Sequence, residues 1–132
     1  MGRALRGMAL LALAAAAGMP QAGSAQVAQL EGSWSGGGAV TFTSGAREHA
    51  RCRVHYSRRS NDSYTAQATC ATASARADQT ARLRRVAENR FTGTFYNSEY
   101  GVTGTIYVVV HGNTQSVRLT SSAGWASLTF RR

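Results

Sequence analysis

The chain has 132 residues, 15 arginines and no lysine against six acidic residues, for a formal net charge of +9. That length is enough for one domain with a modest core, and two cysteines exclude a dense disulfide framework and a cysteine-rich zinc cluster. The basic balance favours anionic partners, although an all-arginine choice also fits a GC-rich genome and is not by itself a mark of guanidinium recognition.

Residues 1–25 read as a secretory signal peptide. Arg3 and Arg6 give a positive start, and Met8 to Ala17 form an apolar core. Gly18, Pro20 and Gly23 break it, and Gly23-Ser24-Ala25 is a small-residue cleavage site. The apolar run is too short to span a bilayer comfortably. No cysteine near the cleavage site offers a lipid anchor, and no later stretch is apolar enough to cross a membrane. Removing 25 residues from 132 leaves 107, one domain over residues 26–132 with a net charge of about +7. Export to the periplasm or the extracellular space argues against genomic DNA as a partner, and no nucleic acid is expected.

Gln26 to Glu31 is a short lead-in. Gly32-Ser33-Trp34-Ser35 reads as a first strand, Gly36-Gly37-Gly38 as a sharp bend or turn, and Ala39 to Thr43 as a further strand. Ser44-Gly45 signals a turn. Arg47 to Tyr56 alternates, with Ala50, Cys52, Val54 and Tyr56 on one face and Arg51, Arg53 and His55 on the other. Tyr64 to Thr72 returns with Tyr64, Ala66, Ala68 and Cys70 inward. Midway between the two cysteines lies Asn61, inside the polar run Ser57 to Ser63. A hairpin folded there sets Cys52 opposite Cys70, Val54 opposite Ala68 and Tyr56 opposite Ala66. Directly opposed antiparallel residues are close enough for a disulfide. Export into an oxidising compartment suits that bridge.

Ala77 to Val86 has helix-forming residues, but Gln79, Ala81 and Leu83 alternate with Thr80, Arg82 and Arg84, so it is assigned as a strand. Phe91-Thr92-Gly93-Thr94-Phe95 and Val102-Thr103-Gly104-Thr105-Ile106 echo each other. A turn centred on Ser98-Glu99 sets Phe91 opposite Ile106, Gly93 opposite Gly104 and Phe95 opposite Val102. Facing glycines there allow a bend, or space for a large ring such as Trp34. Val102 to Val110 turns at Gly112-Asn113 into Ser116 to Ser121. A turn at Ala123-Gly124 then sets Ala126, Leu128 and Phe130 opposite Ser121, Leu119 and Val117. About eight short strands at regular spacing define an all-β fold, an antiparallel up-and-down barrel or a sandwich, with sequential hairpins favouring the meander. Inward alanines and glycines predict a narrow or partly open interior and no large lipid cavity.

Gly32-Ser33-Trp34 resembles the Gly-x-Trp opening of calycins, the lipocalin and avidin superfamily. That resemblance implies a late arginine, Arg131 or Arg132, packed on the tryptophan; it carries no ligand. Phe91 to Phe95 is similar to an avidin-type strand. The layout, with an early tryptophan and one disulfide, also resembles small periplasmic metalloprotease inhibitors of bacteria, whose inhibitory N-terminal segment would correspond to Gln26–Glu31. It is similar, too, to small exported proteins of GC-rich proteobacteria, a resemblance that implies no activity.

No nucleophile elbow, HExxH or phosphate loop is present, and the chain is not expected to be an enzyme or to need a cofactor or metal. His49, His55 and His111 read as solvated or turn histidines. The strongest surface feature is basic: Arg51, Arg53, Arg82 and Arg84 project around Thr65, Gln67 and Thr69, with Arg58 and Arg59 on the adjacent loop. Such a face is expected to dock an anionic envelope component or an acidic protein through arginine's forked donors. The alternatives are a protease inhibitor acting through its N-terminal segment, or an envelope structural or stress protein without a discrete ligand.

Overall fold

Strict alternation of small apolar and polar residues forces Arg47 to Arg58 into an extended strand, because only a period of two keeps Ala50, Cys52, Val54 and Tyr56 on one face. The same logic repeats along the chain. In the computed structural model, which describes residues 28–132, it gives β1 (Gly32–Phe42), β2 (Arg47–Arg58), β3 (Ser63–Ala71), β4 (Arg76–Ala87), β5 (Arg90–Asn97), β6 (Val102–His111), β7 (Thr114–Ser121) and β8 (Gly124–Arg131). The signal peptide expected over residues 1–25 lies outside the described residues. Each strand pairs antiparallel with the next, and β8 pairs with β1, so the sheet is a closed barrel rather than a sandwich. Closure leaves no free edge.

The Asn61 hairpin has the expected register. Cys52 opposes Cys70, Val54 opposes Ala68 and Tyr56 opposes Ala66. The disulfide is formed, with Cα atoms 4.1 Å apart and a sequence separation of 18 between the cysteines. Gln79, Ala81 and Leu83 face inward as the alternation requires, and Ala77 to Val86 lies within β4. Phe91, Phe95, Ile106, Val108 and Val110 are all buried.

Three expectations are corrected. Gly36-Gly37-Gly38 neither bends sharply nor turns; it lies in the middle of one continuous strand, β1. The absence of side chains there serves closure. A Cβ on Gly36 or Gly38 would run into the Thr129 or Ser127 carbonyl of β8, and one on Gly37 into the Ala50 carbonyl of β2. The last seam of the barrel closes tightly only because those positions are bare.

The β5–β6 register is shifted by two residues. Phe91 opposes Val108, Gly93 opposes Ile106, and Gly104 opposes Phe95, so Gly93 and Gly104 do not face each other. Local turn chemistry decides this. Asn97 Oδ1 accepts the Tyr100 amide at 3.1 Å and Gly101 adopts φ 62°, which fixes a four-residue turn after Asn97. Gly104 instead makes room for the Phe95 ring beside it, not for Trp34. The β7–β8 register is shifted likewise: Leu119 opposes Ala126, Val117 opposes Leu128, and Ser121 opposes Gly124. There the Ser121 hydroxyl accepts the Ala123 amide at 3.1 Å and holds a tighter turn at Ser122-Ala123. Both shifts are even, so the inward and outward faces survive them.

Candidate functional site

The two mouths of the barrel differ because inward residues change size along each strand. At one mouth stand Trp34, Tyr56, Tyr64, Phe91 and Phe130, all buried. Leu30, just before β1, is fully buried beneath the same end. Trp34 Nε1 donates to the Leu30 carbonyl at 3.0 Å. The Arg132 guanidinium lies 4.2 Å from the Trp34 ring centroid and donates to the Glu31 carbonyl at 2.9 Å and to the Gln29 carbonyl. The late arginine implied by the calycin resemblance is therefore Arg132. Arg85 completes the seal. It packs 4.6 Å from the Phe91 ring and donates to the Ala28 carbonyl at 2.9 Å and the Tyr64 hydroxyl at 3.1 Å. Arg85 is not among the arginines singled out from the sequence; its place two residues beyond Leu83, in the inward-facing row of β4, is the signal that it points inward.

At the opposite mouth the inward residues are small: Val40, Ala50, Ala77, Val102 and Ala126. They leave an open cup of about 390 Å³, with the Cys52–Cys70 disulfide in its wall and Phe42, Phe95, Tyr100 and Trp125 among its aromatic lining. Tyr100 and Trp125 are 55% and 53% exposed, so their rings stand at the lip. Beneath the cup a 30 Å³ void continues between Val54, Ala66, Ile106 and Val117. This cup is larger than the sequence suggests, since an inventory of inward alanines shows that space is free without showing that it gathers at one end.

Polar groups in the interior are few. Tyr56 donates to Gln115 Oε1 at 2.6 Å across the closed half of the barrel, and both side chains are buried. Burial pushes the Tyr56 hydroxyl pKa up, because the phenolate would have to form away from water. Gln115 Nε2 is buried without a hydrogen-bond partner among the described residues. In the cup itself, Gln79 and Asn97 stand on neighbouring strands, both one step beyond the Thr80–Tyr96 pair toward the open mouth.

The six arginines singled out from the sequence do not form one cluster. Arg51 and Arg53 on β2 and Arg82 and Arg84 on β4 are exposed on either side of β3. Arg53 is level with Thr69 but Arg82 with Thr65, a stagger of about 13 Å along the strands. Asp78, accepting from the Thr69 hydroxyl at 2.8 Å, sets an acid between them. Arg59, Arg82 and Arg84 instead border a shallow outer depression over Thr92-Gly93-Thr94. Arg53 shares a groove floored by Ser33 and Ser35 with Arg131 and Arg132. Arg58 pairs with Glu31 at 3.6 Å and donates to the Asn61 carbonyl. His55 bonds the Ser33 hydroxyl at 3.0 Å, and His49 and His111 lie on the outside of the barrel. Among the described residues no three His, Cys, Asp or Glu side chains lie together as a metal site.

No protein-family model and no curated protein matches the chain. Solved structures do match in fold. A redesigned β-barrel, mFAP1, bound to DFHBI is similar with a TM-score of 0.67 and 13% identity, over 78% of this chain and 94% of that one. The redesigned barrel mFAP0, also bound to DFHBI, has a TM-score of 0.65 and 13% identity over 78% and 98%. A fluorescence-activating β-barrel designed de novo has a TM-score of 0.61 and 16% identity over 77% and 92%. At such identities the likeness establishes the barrel fold alone.

Proposed function

We propose that the protein is a non-enzymatic binding domain that holds a small apolar molecule in the open cup of its barrel. One observation carries this reading: an apolar cavity of about 390 Å³ opens at one mouth while the other mouth is sealed by packed aromatic rings and two arginines. The volume lies within the range of small-molecule pockets, about 300–1,000 Å³, and such pockets are preformed, concave and mostly apolar. Two of the similar designed barrels are ligand complexes, which supports the use of this fold as a container. The disulfide is compatible with an oxidising, exported location, and we place the domain in the periplasm or outside the cell on the strength of the signal peptide read over residues 1–25.

The test is a titration of the oxidised protein with N-phenylnaphthylamine, whose emission rises in apolar surroundings. Saturable binding is expected. Ala77→Trp places a ring in the cup and is expected to abolish it while the far-ultraviolet spectrum of the barrel is retained. Binding unaffected by that variant would put the probe elsewhere and remove the reading.

A second reading is the docking of an anionic envelope surface. It is favoured by the exposure of Arg51, Arg53, Arg59, Arg82 and Arg84, none of which has an acidic partner in ion-pair range among the described residues. Arg53→Glu with Arg82→Glu should lower retention on anionic vesicles at low salt, and unchanged retention rejects it. The inhibitor alternative draws less support. Of the segment Gln26–Glu31, the described residues Ala28, Gln29 and Glu31 have their carbonyls held by Arg85 and Arg132, and Leu30 is buried, so residues 28–31 pack on the barrel rather than project from it.

A further inference from the structure

We infer that the cup selects an uncharged, ring-bearing molecule that offers one hydrogen-bond acceptor to Gln79 and Asn97; this rests on the reading of the cup as a ligand site. Charge is the first ground. The chain carries 15 arginines and six acids, yet no side chain lining the cup is charged at neutral pH. Glu48 stands outside this lining, where its carboxylate accepts the Ser74 amide at 3.2 Å and the Ser74 hydroxyl at 2.8 Å. An anion entering the cup would give up its hydration with no cation to meet it, and a cation would meet no carboxylate in the lining.

The polar pair is the second ground. Asn97 is buried, and its Oδ1 is already occupied by the Tyr100 amide, which leaves its NH2 to the cup. Gln79 faces inward from the adjacent strand, and its carboxamide bonds no other described side chain. An apolar wall with two carboxamide donors on neighbouring strands is the pattern by which a pocket orients a ligand through one carbonyl, ether or ring nitrogen. Ring shape follows from the lining. Phe42, Phe95, Tyr100 and Trp125 offer faces and edges for offset stacking. A long-chain carboxylate fits neither ground: its head has no arginine in the cup, and the sealed far mouth gives its tail no passage.

The experiment uses prodan, an uncharged naphthalene ketone, and its analogue in which a carboxylate replaces the propionyl group. Dimethylaminonaphthalene, which lacks the carbonyl, is the third probe. Prodan should bind at least about 100-fold more tightly than the carboxylate, the scale expected when a charge is buried without a partner. Gln79→Leu should weaken prodan about fivefold, the worth of one neutral hydrogen bond, and leave dimethylaminonaphthalene unchanged. Ala77→Trp should displace every probe that binds. Equal affinity for the carboxylate, blocked by Ala77→Trp, would overturn this inference and leave the cup as a site. So would a Gln79→Leu effect equal for prodan and dimethylaminonaphthalene. Failure of all three probes to bind would overturn the cup reading itself.

Discussion

Replacing Arg132 by alanine tests how the closed mouth is held. The guanidinium stacks on Trp34 at 4.2 Å and donates to the carbonyls of Glu31 and Gln29, so one side chain ties the chain's last residue to the segment before β1. A cation–π contact at an exposed site contributes about 0.5–1 kcal/mol. Each hydrogen bond to a charged group is worth about 1.5 kcal/mol or more when shielded; Arg132 is exposed, so both bonds are discounted for solvent. The total is about 2 kcal/mol, or a fall in melting temperature of roughly 10 °C for a domain of this size. Arg132→Lys keeps the charge but loses the planar fork, and should recover less than half of the loss. Urea unfolding measures the free energy, and hydrogen exchange at the Trp34 indole N–H reports whether Leu30 has been released. A loss below about 0.5 kcal/mol, the range of indifferent surface substitutions, or full rescue by lysine would refute the clasp.

Three further outcomes follow from other parts of the barrel. Cys52→Ala with Cys70→Ala should cost about 3 kcal/mol, from a sequence separation of 18 between the cysteines, with the m-value altered because the unfolded state is the one released. Tyr56 has a folded pKa raised by burial above the unfolded value near 10, so the stability it contributes is complete below that value and falls as pH rises past it. Alkaline unfolding should therefore steepen above about pH 10, by up to 1.4 kcal/mol per pH unit, and Tyr56→Phe should flatten that slope; an unchanged slope would remove the assignment. Gly104→Ala should destabilise by about 1–3 kcal/mol, because the new methyl meets the Phe95 ring and the Thr120 carbonyl, and Phe95→Leu in the same chain should relieve only the ring's share. Urea melts of the two single variants and the double variant decide it.

Faces were legible in the sequence and opposition was not always. The inward rows of β2, β3 and β4 follow from alternation alone, and the cysteines pin one hairpin, since a one-residue slip there would turn one sulfur outward. No covalent marker exists in β5–β6 or β7–β8. Their registers are set by the Asn97 side chain on the Tyr100 amide and the Ser121 hydroxyl on the Ala123 amide, and moving either turn by two residues leaves the hydrophobic pattern intact. Periodicity cannot choose between registers that differ by an even number. The place of the glycine run is hidden from local sequence for another reason. Its neighbours are strands β2 and β8, the latter about 90 residues later in the chain, and only barrel closure brings the Thr129 and Ser127 carbonyls against Gly36 and Gly38.

The cup was nevertheless written in the sequence as a gradient. Antiparallel neighbours run in opposite directions, so a barrel tapered at one mouth must read small-to-large on one strand and large-to-small on the next. Inward residues on β2 pass from Ala50 and Cys52 to Val54 and Tyr56, and those on β3 from Tyr64 to Ala66 and Ala68. On β8 they rise again from Gly124 and Ala126 to Leu128 and Phe130. Packing at the wide mouth is therefore given up along several strands at once, and stability should be recoverable there. Ala77 is half-buried on the cup wall. Ala77→Leu adds three methylene equivalents worth about 0.8 kcal/mol each when fully buried, and with the mouth open a gain of about 1 kcal/mol is expected in urea unfolding. The same substitution should weaken prodan, because the side chain takes ligand volume. A destabilised variant would mean that the wall near Ala77 is already filled, and that the cup is shallower than its lining implies.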